Sequence, residues 1–89
     1  MTERERRIKG LENKNAEFAK EILLNESAIY EVEKEISAIS SEFLIEREIQ
    51  VHVQLLRLIM ERLEAKNVLH RKNIYQNNFE IKSLENESD

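Results

Sequence analysis

His52 and His70 are the only histidines in this 89-residue chain, and beside eighteen Asp and Glu they are the side chains best suited to hold a metal ion or carry a proton. Their spacing argues against both. Neither has a glutamate three residues before it, so the Glu-x-x-His pair that ligates metal in di-iron helical bundles is missing. Glu48 and His52 stand at i and i+4 and share a helix face, but a lone pair of this kind reads as a solvated contact. His70 falls on a line of apolar residues and reads as a packed layer residue, expected against Ile22, whose protonation would loosen that layer. Acid–base catalysis needs carboxylates held in a pocket at different pKa values, whereas here nearly all of them fall on the solvated faces. The chain has no cysteine, and its single glycine, Gly10, cannot build a phosphate-cradling loop or a nucleophile elbow. No catalytic residue, no metal and no cofactor is expected.

Recognition of polyanions is disfavoured too. Net charge is -4, and the basic residues of Glu3-Arg4-Glu5-Arg6-Arg7-Ile8-Lys9 are interleaved with glutamates. His70-Arg71-Lys72 is three residues long, and Phe18, Tyr30, Phe43, Tyr75 and Phe79 are too dispersed to form a stacking platform. Neither nucleic acid nor membrane is an expected partner. The stretch from Thr2 to Lys9 is charged where a signal peptide would need an apolar core, so the expected compartment is the cytoplasm.

Such residues must be carried by helices. Charged residues make up 36% of the chain and apolar ones 40%, with one Gly and no Pro, which leaves little of the punctuation that sheets and tight turns require. Core-type positions recur at alternating steps of three and four along Ile8, Leu11, Asn15, Phe18, Ile22, Asn25, Ile29, Val32, Ile36, Ile39 and Phe43, a seam with two polar members. A second such seam runs Ile49, Val53, Leu56, Met60, Leu63, Asn67, His70, Ile74, Asn77, Ile81 and Leu84. This 3.5-residue period is the signature of a coiled coil. The reading is one helical unit over residues 1–89, with a helix over 3–43, a bend over 44–48, a helix over 49–84 and a frayed tail over 85–89. Thr2 and Glu5 have capping-box spacing at the first start, and Gly10 is a weak point just inside. Ile49 to Leu55 also alternates with the period of a strand, which leaves a short strand as a competing reading of the middle.

If residue i faces residue 92 minus i, the two seams pair antiparallel with apolar against apolar near the bend. Farther out Asn25 faces Asn67 and Asn15 faces Asn77. Facing amides satisfy one another and penalise slipped registers, so Asn15, Asn25, Asn67 and Asn77 are the expected register-setting residues. The flanking charges are mixed in this register, with Glu33 near Arg57, Lys14 near Glu80 and Glu26 near Glu64. At coarser scale the halves attract, since residues 12–48 hold ten acidic and four basic side chains and residues 57–72 hold two and five. Identical layers arise from a hairpin folded at Leu44 to Glu48 or from one long helix paired with a second chain.

One feature exceeds what a two-stranded seam needs. Leu44, Val51, Leu55 and Leu58 form a second apolar stripe on a helix face away from the first seam, and Leu23, Leu24 and Tyr30 form a weaker patch opposite Val68 and Leu69. The fold class expected is therefore all-α, an antiparallel helical hairpin or coiled coil that self-associates into a four-helix bundle through Leu44, Val51, Leu55 and Leu58, with one long helix in an antiparallel dimer as the alternative. The expected function is a non-enzymatic protein–protein interaction module, a small scaffold, adaptor or regulator acting through a helix face, with a homo-oligomer (a dimer) and a further protein partner implied. The enzymatic alternative is a small helical-bundle enzyme of the chorismate mutase type. A nucleic-acid-associated helical protein is the third reading.

Overall fold

The computed structural model describes residues 1–42 and 47–87 and is a helical hairpin. α1 spans Glu3–Glu42 and α2 spans Arg47–Glu85; together they make an extended body of 68 × 15 × 14 Å. The start of α1 is fixed locally. The Glu5 backbone N–H donates to Thr2 Oγ1 at 3.1 Å, which caps one of the donors that a first turn leaves unmatched. Glu3 and Glu5 also place negative charge where the helix dipole favours it. At the other end Asn86 N–H bonds back to the Lys82 carbonyl at 3.1 Å and closes the last turn of α2.

The period of the seams decides the packing. Every described seam residue, from Ile8 to Ile39 and from Ile49 to Leu84, is buried or half-buried, while the other described residues are exposed apart from Arg4, Ala28, Asn73 and Glu80. A stripe repeating every 3.5 residues keeps facing its partner as two helices wind about each other, and that accounts for the burial of the seams. The core is nevertheless thin. Among the described residues Leu11, Val53 and Leu56 are its buried apolar members, each still 8% exposed, and no described side chain is fully enclosed. A pair of helices covers one side of each seam residue and leaves its flanks in water.

Two alternatives left open by the sequence give way, and one boundary moves. The segment Ile49 to Leu55 is helical rather than a strand, because Ile49, Val53 and Leu56 lie on the seam of α2 and their burial against α1 outweighs the β-propensity of Val51 and Val53. The helices pair within one chain, so the long-helix alternative gives way to the hairpin. Arg47 and Glu48 belong to the first turn of α2 instead of the bend. Phe43 and Leu44 lie outside the described residues.

Candidate interaction surface

Two sets of residues stand out, one inside the hairpin and one on its outside. Inside, the asparagines meet as pairs. Asn25 Nδ2 donates to Asn67 Oδ1 at 2.9 Å, and Asn67 Nδ2 donates in turn to the Ile22 carbonyl at 3.3 Å. Asn67 is only 3% exposed, so these bonds replace the water its amide has given up. Farther from the bend Asn77 Nδ2 donates to Asn15 Oδ1 at 2.9 Å, and Asn15 Nδ2 passes the chain on to Asn78 Oδ1 at 2.8 Å. Both facing pairs have residue numbers summing to 92. Asn78 is a member that sequence reasoning missed, because it lies one residue off the seam and only the structure brings its oxygen within reach.

His70 is a layer residue, and its ring packs on Phe18 with centroids 5.4 Å apart. Its Nδ1 is buried without a hydrogen-bond partner among the described residues. His52 reaches across to α1, with Nε2 3.6 Å from Glu35 Oε1, where its own-helix neighbour Glu48 had been expected.

The flanking charges also differ from the expected set. Glu80 is held by both Nε and a terminal nitrogen of Arg7, with the Nε contact at 2.8 Å, instead of by Lys14. Glu26 accepts from Arg71 at 2.9 Å instead of lying in conflict with Glu64. The reason is geometric. On each helix one flank stands just before a seam residue and the other just after one, and in an antiparallel pair like flanks meet, so the partners are displaced from the layer register in opposite directions on the two sides. Arg7–Glu80 and Glu35–His52 both sum to 87, and Glu26–Arg71 sums to 97. Near the termini, Arg7, Gly10, Leu11, Lys14, Asn77 and Glu80 border an open groove of about 380 Å³, beside the place where Gly10 offers no side chain.

On the outside, Val51 is 49% exposed, Leu55 55% and Leu58 45%. They sit on the side of α2 turned away from α1, because the seam residues Val53, Leu56 and Met60 take the inner side. Ile59, at i+4 from Leu55 and 48% exposed, extends the same patch and was missed because it breaks the three-four spacing of the stripe. Leu23, Leu24 and Tyr30 on α1, with Val68 and Leu69 on α2, are likewise exposed, and Lys34 Nζ sits 5.3 Å from the centre of the Tyr30 ring. Leu44, the remaining expected member of the stripe, lies outside the described residues. Among the described residues no group of three or more His, Asp or Glu is placed to hold a metal ion, and no helix is long and apolar enough to cross a membrane. Comparison with protein-family models, with curated proteins and with solved structures finds no match.

Proposed function

We propose that this chain is a non-enzymatic protein–protein interaction module, a small coiled-coil scaffold, adaptor or regulator that works through the outer face of α2. The observation that carries the reading is the stripe of Val51, Leu55 and Leu58, each about half exposed on a hairpin whose core contains three buried apolar side chains among the described residues. Exposed apolar residues scattered singly need no explanation, but a contiguous set on one helix face marks a contact surface. Two hairpins joined there would contribute four helices to one assembly over the stretch where they overlap. The open groove beside Gly10 gives little support to an enzymatic role, since its guanidinium, that of Arg7, is already engaged by Glu80.

Replacing Leu55 and Leu58 together by Glu leaves both seams intact. Light scattering should then show the assembly falling to a single hairpin, and circular dichroism should show helix content persisting at high protein concentration with a lower melting temperature. Wild-type mass and melting temperature in the double variant would remove the stripe from the association surface.

A further inference from the structure

The outer face of α2 carries a pattern that specifies its own occupant. Glu48, Val51, Leu55, Leu58 and Arg62 recur at three, four, three and four, a second 3.5-residue repeat set about 150° around the helix from the seam. All five are exposed in the hairpin, and neither Glu48 nor Arg62 forms an ion pair among the described residues. Read backward from a point between Leu55 and Leu58, the pattern complements itself. Leucine meets leucine at the centre, and the acidic residue at one end comes beside the basic residue at the other.

We propose that the occupant is a second copy of this chain, docked α2 against α2 in antiparallel fashion about a twofold axis between Leu55 and Leu58. The proposal rests on the reading of the stripe as an association surface and adds the partner, the orientation and the register. In this arrangement Leu55 packs on Leu58 of the second copy twice, by symmetry, and Val51 lies against the stem of the second copy's Arg62. The guanidinium of that Arg62 then has Glu48 one turn away, within reach of its side chain, and the same contact forms again across the axis. A parallel docking would instead set Glu48 beside Glu48 and Arg62 beside Arg62, so charge selects the antiparallel form.

The area is sufficient for a specific though modest dimer. Val51, Leu55, Leu58 and Ile59 are each about half exposed, so each offers on the order of 80 Å², and with the stems of Glu48 and Arg62 two copies bury about 1,000 Å², the lower end for a specific interface. Shape follows from position. The axis lies about 15 Å from the bend end of a body 68 Å long, so two hairpins pointing in opposite directions overlap over about 30 Å and span about 100 Å. A bundle of fully overlapping hairpins would stay near 70 Å, little longer than one hairpin.

Small-angle X-ray scattering and sedimentation equilibrium of the full chain test this directly. The expected result is a concentration-dependent dimer with a maximum dimension of about 100 Å. Glu48→Arg and Arg62→Glu should each weaken dimerisation about tenfold at low salt, and the double variant should return it to within about twofold of wild type. Rescue separates lost pairing from a weakened first turn of α2, since the double variant still carries a basic residue at position 48. A dimer near 70 Å, or singles that the double does not rescue, overturns the antiparallel docking; if Leu55→Glu with Leu58→Glu still dissociates that dimer, the stripe reading survives on its own. A chain that stays monomeric up to about millimolar concentration overturns self-docking altogether.

Discussion

Asn67 has given up nearly all of its hydration, and its amide is compensated by one bond from Asn25 and one to the Ile22 carbonyl. Removing one partner therefore costs more than removing both. Asn25→Leu should lower stability by about 1 to 2 kcal/mol, because Asn67 Oδ1 loses its donor, whereas Asn25→Leu with Asn67→Leu should raise it above wild type by about 1 kcal/mol while loosening the register. Urea titration of the two singles and the double measures this, and simple additivity would mean that the amides do not act as a pair. Gly10 is a different case. A Cβ built there meets nothing within 4 Å, so Gly10→Ala should stabilise by about 1 kcal/mol through helix propensity alone. His70→Leu removes a buried ring nitrogen that has no partner among the described residues, and a denaturation midpoint at or above wild type is expected. The Asn25–Asn67 and Asn15–Asn77 pairs were legible because all four residues sit on the seams. The Asn78 bond and the packing of His70 on Phe18 were not, since each depends on side-chain direction between layers.

For the two helices, pattern and register were readable because a 3.5-residue period and two facing amide pairs admit few alternatives. The choice between hairpin and long helix was not, as the layers are the same in both and Leu44 to Glu48 supply no turn residues. Flanking ion pairs were misread because the layer register was applied to side chains that the antiparallel geometry displaces by five on either side. Carried along the helices, the spacing of Glu26 and Arg71 sets Glu33 opposite Glu64, a like-charge pair. Glu64→Lys should therefore raise stability by about 0.5 kcal/mol in low salt, with the gain fading in high salt. Thermal melts at two ionic strengths decide it, and a gain that persists in high salt would assign it to something other than Glu33. Cysteines in place of Ile36 and Leu56, or of Leu11 and Ile81, should crosslink under mild oxidation to a monomeric product. Efficient crosslinking only at positions displaced by a heptad would place the register elsewhere.

As a whole the molecule is a rod with one seam, and such a body has little apolar burial to set against chain entropy. Its melting temperature should accordingly rise with protein concentration in the wild type and lose that dependence when Leu55 and Leu58 are changed to Glu, as scanning calorimetry at several concentrations would show. The layers are not equivalent along the rod. In the register of the asparagine pairs, Ile39 meets Val53 across fourteen residues of chain and Leu11 meets Ile81 across seventy. Closing the longer span costs about 1.4 kcal/mol more if it is closed first, and the longest run of apolar layers unbroken by an asparagine or histidine lies at the short-span end. Folding should then nucleate beside the bend and zip outward through the asparagines to the Arg4 bond with the Glu87 carbonyl. Amide hydrogens would exchange most slowly near Val53 and Leu56 and progressively faster toward both termini, giving this symmetrical rod a fast-opening end and a slow one.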